Sequence, residues 1–443
     1  MNIHATSISS NKVKNAWATY DLANSVYNLV ITATIFPIYY KAVTEIKNEH
    51  GEIISNTVNF LGFNFKNTAL YDFAIATAYL LTVFLVPILS GLADGSGNKK
   101  KYMQLFCYIG ASSCLAMYFF DADHVTLGIF LAITACMGYS GSLVFYNAYL
   151  PEIATPAEQD GLSAKGFAMG YAGSAFLLIV NLIMIEKFDL FGFATKGDAT
   201  RIAFITVGVW WFLFSLIPFK YLPNNKKENV IRVKLSQGYS QLIKVWQEIK
   251  TQNELLKFLS AFFVYSMGVQ TVMLIATHFA SEEIGMESAQ LITTILIIQF
   301  VALIGAYAFS YISKFKGNLF MLRVAVCIWV LICVITFKFI YTVTAFYFVA
   351  AVVGLVMGGI QSLSRSTYSK MLPDVEEHSS YFSFYDVAEK MSIVLGMITF
   401  GVITQLSSNM RTPILSLIVF FVVGLVLLFR LNGSLLKSKG EVV

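Results

Sequence analysis

The chain has 443 residues, of which 57% are hydrophobic and only 13% are charged, and its formal net charge is +5. Because soluble domains carry about 25% charged residues, this composition excludes a water-soluble globule and predicts an integral membrane protein. The small positive charge gives no support for a nucleic-acid partner, and the five cysteines lie in apolar runs without metal-ligand spacing, so neither a cofactor nor a metal is expected.

A membrane crossing needs about 20 apolar residues, and such runs predict twelve transmembrane helices, hence an all-α fold. The predicted spans are 16–41, 70–92, 103–120, 125–149, 166–186, 201–222, 255–280, 289–312, 319–337, 343–366, 382–404 and 413–431. Most of the 31 lysines and arginines fall in segments on the same side as the N-terminus. This bias predicts a multi-pass protein of the inner (plasma) membrane with both termini cytoplasmic.

The first predicted span begins with the stretch WATYDLANSVYN, which places polar side chains where lipid is expected. At about 100° per residue, Asp21, Asn24 and Asn28 fall on one helical stripe, and Tyr27 lies beside it. Hydrocarbon would not tolerate such a stripe, because buried charges and amides need polar partners. The stripe therefore predicts a water-filled cavity at this face of the helix.

The longest loop on the N-terminal side joins the sixth and seventh spans near the middle of the chain. Within residues 223–254, apolar side chains recur at helical spacing among lysines and glutamines. This pattern predicts an amphipathic helix on the inner membrane surface, in contact with membrane lipid. The segment is expected to act as a linker, with regulation as the alternative. It divides the chain into an N-terminal six-helix bundle, 1–222, and a C-terminal six-helix bundle, 255–443.

A sequence repeat supports this division into halves. SGSLVFYNAYLPE (140–152) closes the fourth span, and SLSRSTYSKMLPD (362–374) closes the tenth. At a constant offset the two stretches share Ser140/Ser362, Ser142/Ser364, Tyr146/Tyr368, Leu150/Leu372, Pro151/Pro373 and the acids Glu152/Asp374. Parallel repeats are typical of transporters in which two bundles rock around a midplane site.

The stretch SGLADGSGNKKK (90–101), which follows the second span, resembles the G-x-L-A-D-R-x-G-R-K motif of the major facilitator superfamily of twelve-helix transporters. It keeps Leu92, Ala93, Asp94, Gly97 and Lys99, and it lacks both arginines of the motif. The resemblance implies that Asp94 lies at the inner membrane edge. There its carboxylate can accept hydrogen bonds from the N-terminus of the eleventh span and hold the halves together. A solvated loop with ordinary lysines is the alternative.

Four longer stretches resemble the vacuole-effluxer family, whose fungal branch exports amino acids. They are AWATYDLANSVYN, FYNAYLPEIA, IQSLSRSTYSKMLP and YFSFYDVAEKMSIVLG, and they fall in both halves of the chain. The resemblance implies a secondary transporter of the family's bacterial branch, with efflux as the direction. It leaves the carried solute open.

In superfamily members the first, fourth, seventh and tenth spans line the central cavity, and the polar residues within the membrane gather in those spans here. The resulting substrate-binding candidates are Asp21, Asn24, Tyr27, Asn28, Tyr146, Asn147, Gln270, Gln361 and Arg365. A site with both a carboxylate and a guanidinium suits a zwitterion, which favours an amino acid or a short peptide. A sugar, a nucleoside, an amphipathic solute, or a non-transporting receptor or scaffold on the same fold stays open.

Asp21 lies near the start of the first span, and Arg365 lies near the end of the tenth, which runs in the opposite direction. Both residues are therefore expected toward the cytoplasmic mouth, on opposite halves. We expect them to pair when the inner gate closes and to separate when it opens. The alternatives are that Arg365 binds lipid headgroups and that Asp21 caps its own helix.

In the eleventh span, Lys390 follows Asp386 at i+4 and stands next to Glu389, so it can pair within its own helix. The alternatives are that Lys390 anchors a substrate carboxylate or locks onto the other half. Asp21, Asp386 and Glu389 are the carboxylates considered for proton coupling, because a desolvated carboxylate can titrate near neutral pH. The chain has no phosphate loop and no nucleophile elbow. We therefore predict no enzyme and expect a gradient to drive transport.

Overall fold

The computed structural model shows a chain that is helical almost throughout. The structure describes residues 9–48, 50, 53–224, 235–375, 377–407, 409–434 and 436. Residues 1–8 and part of the predicted linker (225–234) lie outside the described residues.

Within the described ranges twelve long helices follow one another, and we number them α1 to α12 in chain order. They lie at Asn11–Thr44, Asn67–Ser96, Lys99–Ala116, Val125–Ile153, Pro156–Glu186, Lys196–Tyr221, Asn253–Ile284, Ser288–Lys316, Asn318–Phe339, Val343–Met371, His378–Ser407 and Ile414–Phe429. A further helix between α6 and α7, Leu235–Thr251, is called the linker helix. By length and composition ten of the twelve can cross a membrane, whereas α3 begins with three lysines and α12 has 16 residues.

Helix α5 begins at Pro156, well before the predicted start of its span at 166. The reason is local, because Thr155 and Glu158 form a capping box and Pro156 occupies the first turn, where its missing N–H costs nothing. A span predicted from hydropathy alone does not take such helix-capping residues into account. The earlier start places Asp160 and Ser163 on a helix instead of in a loop.

The middle of α1, Tyr27–Ile35, is π-helical. Here the hydroxyl of Thr34 donates to the carbonyl oxygen of Leu29, five residues earlier, at 2.8 Å. The α-helical continuation starts at Phe36 with Pro37 in its first turn. Because π-turns hold more residues than α-turns, side chains after Tyr27 drift away from the stripe predicted at α-helical spacing.

Two small hairpins, not expected from the apolar pattern, stand between α1 and α2. Strands β1 to β4 lie at Ile46–Lys47, Ile53–Ser55, Thr57–Phe60 and Phe63–Lys66, with β1 antiparallel to β2 and β3 antiparallel to β4. The second hairpin turns at Leu61 and Gly62, which have φ angles of 52° and 86°. Two left-handed residues match the twist of a tight hairpin.

Short connections make successive helices antiparallel, so the bundle has two distinct ends. The linker face is the end with the linker helix and the described chain termini, and the hairpin face is the end with the four strands. The N-terminal half comprises α1 to α6, and the C-terminal half comprises α7 to α12.

Small residues let helices of the C-terminal half approach closely. Gly354 and Gly358 on α10 pack against the backbone carbonyls of Ile298 and Ala302 on α8. A side chain at either glycine would meet a backbone oxygen that has no room to move. These glycines therefore serve helix packing, because helices in lipid associate through small residues.

The linker helix touches both halves at the linker face. On the N-terminal half its Gly238 crosses α2 so closely that a Cβ there would lie 2.8 Å from the carbonyl oxygen of Ile88. On the C-terminal half Trp246 stacks on Phe384 of α11 with ring centroids 5.3 Å apart. Lys244 reaches Glu377, just before α11, at 3.3 Å. Acting with Glu248, that carboxylate raises the pKa of the Lys244 ammonium.

Replacing Gly238 with valine is expected to undock the linker helix from α2, because the new side chain would overlap the α2 backbone. Trypsin should then cut at Lys244 and Lys250 about tenfold faster in micelles, in line with the usual effect of overpacking. Ser240→Val is the matched control, because it adds the same side chain at an exposed position of this helix. Equal cleavage rates in the two variants would rule out this docking.

Candidate functional site

Asp21 and Arg365, expected near the same end of opposite halves, are in direct contact. Arg365 Nη1 lies 3.0 Å from Asp21 Oδ2, and 3% and 4% of the two residues is exposed. The hydroxyl of Tyr146 donates to the same carboxylate oxygen at 2.8 Å. The pair joins α1 to α10 and so bridges the halves. Ions buried this deeply persist only when their remaining donors are satisfied.

The guanidinium of Arg365 has partners on several sides. Its Nε donates to Ser163 Oγ at 2.9 Å, and its Nη2 donates to the Ser163 carbonyl oxygen at 2.9 Å. Asn147 Oδ1 accepts from Nη1 at 3.3 Å. The guanidinium carbon also lies 4.1 Å from the ring centroid of Phe167 and 4.9 Å from that of Trp17. Stacking and hydrogen bonding together compensate for the burial of the charge.

Helix α5 reaches this pair because it has no side chain at Gly166. A Cβ at this position would overlap Asp21 Oδ2 and would lie 2.9 Å from Arg365 Nη2 and 3.0 Å from the hydroxyl of Tyr146. The small-residue stripe of α5, which consists of Gly166, Gly170 and Ser174 at four-residue spacing, therefore makes room for a buried ion pair.

The remaining candidates on α1 differ in exposure. Asn24 is fully buried, and its side-chain nitrogen has no partner among the described residues. Asn28 is exposed. Tyr27 is 2% exposed, with its ring 5.3 Å from that of Tyr139 and 5.8 Å from that of Trp211. These contacts lie inside the N-terminal half and give Tyr27 a packing role.

A second charged cluster lies on α11 and α7. Lys390 Nζ is 3.2 Å from Asp386 Oδ1 and 2.9 Å from Glu389 Oε2. Gln270 Nε2 donates to the other oxygen of Glu389 at 3.1 Å. The pairing of Lys390 with Asp386 expected within one helix is present. Glu389, the sequence neighbour of Lys390, also joins the pair, and the contact from Gln270 on α7 was not expected.

Gln361 meets a residue outside the predicted set. Its Oε1 accepts from the hydroxyl of Tyr171 on α5 at 2.5 Å, and its Nε2 lies 3.4 Å from Met273 Sδ. Tyr171 was missed because the prediction took residues only from four helices. Its signal in the sequence is a tyrosine one residue after Gly170, on the small-residue stripe of α5.

Asp94 caps the start of α11, the partner expected for it from the motif resemblance. Its Oδ1 accepts from the Ser379 N–H at 3.1 Å, and its Oδ2 accepts from the Ser380 N–H at 2.7 Å and the Ser380 hydroxyl at 2.6 Å. The first N–H groups of a helix lack intrahelical partners and favour an anion. This contact joins the halves at the linker face.

Replacing Asp94 with alanine is expected to weaken closure of the linker face by about 0.5–2 kcal/mol, the usual cost of losing a helix cap. Double electron–electron resonance measures the opening between spin labels at Lys101 and Lys316, which are exposed on different halves. We expect the fraction of long distances to rise. Asp121→Ala, in a loop at the hairpin face, is the control. An unchanged distance distribution in Asp94→Ala would refute the latch.

A third inter-half contact was missed by the sequence analysis. Lys370 near the end of α10 lies 2.6 Å from Asp160 Oδ2 near the start of α5, with 2% and 3% of the residues exposed. Asn318 Nδ2 donates to the other oxygen of Asp160 at 2.8 Å. The sequence feature that could have indicated this contact is Lys370 itself, a charged residue inside the repeated stretch 362–374.

The last residue of the other repeated stretch (140–152) also makes polar contacts. Glu152 pairs with Lys99 at the start of α3 and lies 3.0 Å from Nδ1 of His378, the first residue of α11. The polar contacts described so far thus join the halves from the linker face to mid-depth. Toward the hairpin face, Asn28 on α1 and His278 on α7 are exposed. We call the polar interface between the halves the cleft, and these contacts close it at the linker face.

The site consists of paired charges and hydrogen-bonded amides at the interface between the halves. Among the described residues no three His, Cys, Asp or Glu side chains converge as a metal site requires. The charges pair across the interface between halves, where relative movement would make and break the pairs. Apolar helices around such a cleft define a secondary transporter of the major facilitator type.

Comparison with known proteins agrees with this class. The fold matches the crystal structure of the major facilitator transporter FucP in the outward conformation, with a TM-score of 0.67 and 13% identity over 94% of this chain and 97% of that one. The predicted all-α major facilitator fold is thereby confirmed.

The chain belongs to the Atg22-like vacuole effluxer family, whose model matches residues 9–440. It is 32% identical over 428 residues to the uncharacterized MFS-type transporter YxiO of Bacillus subtilis (strain 168), covering 94% of both chains. It is 24% identical over 395 residues to Autophagy-related protein 22 of Kluyveromyces lactis, covering 81% of this chain and 78% of that protein. The family resemblance found in the sequence is confirmed.

Proposed function

We propose that the protein moves a small polar solute, with an amino acid or short peptide favoured, across the inner (plasma) membrane by alternating access. In this proposal the linker face is cytoplasmic, so both termini lie inside. The moving bodies are 1–222 and 255–443, and 223–254 connects them. Efflux is the direction favoured by the family.

The observation that carries the proposal is the Asp21–Arg365 pair, which is buried between the halves. Opening the linker face would pull these charges apart, and an unpaired charge within a membrane protein is costly. A zwitterion offers an ammonium for Asp21 and a carboxylate for Arg365, so it can replace both partners. This chemistry supports an amino acid over a sugar or a nucleoside.

The gating and coupling residues in this proposal are Asp21, Asp94, Arg365, Asp386, Glu389 and Lys390. Asp94 latches the closed linker face, while Asp21 and Arg365 separate as it opens. A proton is the coupling ion we propose, because it can neutralise a carboxylate whose cationic partner has moved away. Asp21, Asp386 and Glu389 are the carboxylates available for this role.

Counterflow in proteoliposomes tests the function. Vesicles loaded with unlabelled amino acids or short peptides should show saturable entry of at least one labelled tracer, absent from empty liposomes. Asp21→Asn should lower the rate at least about tenfold, because it removes a charge from a buried, hydrogen-bonded pair. Asp189→Asn, at an exposed position of the hairpin face, should behave like wild type. Failure of every tracer to enter would refute amino-acid transport.

A further inference from the structure

The cluster of Asp386, Glu389 and Lys390 holds two carboxylates and a single ammonium. Its partner Gln270 is neutral, and the nearby Asp21–Arg365 pair contributes no net charge. The formal charges of these five ionisable residues therefore sum to one negative charge. A surplus carboxylate in a partly dehydrated cleft is unfavourable until a cation reaches it.

Lys390 is not free to receive a solute carboxylate. Its side chain is 4% exposed, and its ammonium contacts Asp386 at 3.2 Å and Glu389 at 2.9 Å. Arg365 is equally inaccessible, because 3% of it is exposed and its donors bind Asp21, Asn147 and Ser163. In this state Lys390 and Arg365 are therefore both already paired within the protein.

Glu389 is the accessible member of the cluster. Its side chain is 25% exposed, whereas those of Lys390 and Asp386 are 4% and 6% exposed. Gln270 and Lys390 each contact one of its oxygens, at 3.1 and 2.9 Å, which orients the carboxylate. A carboxylate has about four acceptor sites, so it can still accept a further donor.

Aromatic side chains of the N-terminal half, which face this cluster, can also attract a cation. Helix α11 packs against α2 and α4 of the other half. Tyr79 on α2 places its ring centroid 6.0 Å from Lys390 Nζ. Tyr139, on α4, is partly exposed. Aromatic rings attract ammonium groups through their negative faces.

We propose that Glu389, oriented by Gln270, binds the ammonium group of the solute in the state that is closed at the linker face. The substrate class is then primary amines, amino acids included, while carboxylates without an amino group are excluded. This inference rests on the proposed function, since it names the part of the solute that the same cleft recognises. It differs from the alternative raised for Lys390, which was an anchor for the carboxylate of the solute.

Three matched sets of probes distinguish recognition of the ammonium group from recognition of the carboxylate group. They are alanine, ethylamine and propionate; leucine, 3-methylbutylamine and 4-methylpentanoate; and phenylalanine, phenethylamine and 3-phenylpropanoate. Thermal stabilisation of the purified protein in micelles is measured with each probe at one fixed pH. Glu389→Gln is compared with Glu186→Gln, whose parent side chain is 65% exposed at the end of α5.

In at least one set we expect the amino acid and its amine to stabilise wild type, and the acid to do nothing. Glu389→Gln should weaken both effects at least about tenfold in apparent affinity, and Glu186→Gln should leave them unchanged. Stabilisation by an acid but not by its amine would overturn the proposal, as would full binding to Glu389→Gln. The wild-type comparison stands even where Glu389→Gln fails to fold.

The counterflow assay separates this inference from the proposed function. Saturable amino-acid entry without any amine binding would overturn only the role of Glu389. If no probe binds and no tracer enters, both the inference and the proposed function fail.

Discussion

Replacing Arg365 with leucine should lower the free energy of unfolding by about 3–5 kcal/mol, because it leaves the Asp21 carboxylate buried without its counter-charge. The pair is 3.0 Å apart and nearly inaccessible to solvent, so water cannot take over the role of the guanidinium. Chemical unfolding in detergent micelles measures the loss. Counterflow with the same variant should show no saturable tracer entry.

The double variant Asp21→Asn with Arg365→Leu should recover most of that stability, because replacing a buried ion pair by neutral groups is often close to neutral. It should not recover transport, since neither charge remains for the solute or the gate. Arg430→Leu, at an exposed position after α12, controls for removal of an arginine. If Arg365→Leu unfolds like Arg430→Leu, the carboxylate of Asp21 does not depend on this partner.

Gly166→Ala should lower the free energy of unfolding by about 1–3 kcal/mol, the usual effect of inserting a methyl group into a filled space. The new carbon would overlap Asp21 Oδ2 and crowd Arg365 Nη2 at 2.9 Å, so the ion pair or helix α5 must shift. We also expect counterflow to fall, because the shifted pair can no longer close with the same geometry.

Gly161→Ala makes the same substitution earlier on α5, where a Cβ would meet nothing within 4 Å. There the change should be neutral or stabilise by up to about 1 kcal/mol, because alanine favours a helix over glycine. Comparing the two variants by unfolding and counterflow separates steric overlap from helix propensity. Equal effects at the two positions would contradict the crowding at Gly166.

Contacts near the helix ends could be predicted because depth and direction can be counted along a chain. The opposite directions of the first and tenth spans placed Asp21 and Arg365 at one level, and the motif after the second span placed Asp94 beside α11. Packing partners on other helices could not be counted in this way. Ser163, Asp160 and Tyr171 on α5 were missed, because their importance depends on which helix lies opposite.

The second limit on prediction from the sequence was the angular position of side chains around a helix. Asp21 and Asn24 precede the π-helical segment and keep the predicted spacing, whereas Tyr27 begins that segment and turns into the N-terminal half. A hydropathy pattern does not reveal a change in residues per turn. The hairpins between α1 and α2 were missed because their strands are too short to show an alternating pattern.

The linker helix, which touches both halves, also creates a composite epitope. Lys244 belongs to the linker helix, Glu377 belongs to the C-terminal half, and Gly238 rests on α2 of the N-terminal half. An antibody fragment that recognises the exposed residues around Lys244 and Glu377 would bind only while these parts stay together. Such a fragment would report in living cells on docking of the linker helix to the C-terminal half and would hold that docked form for imaging.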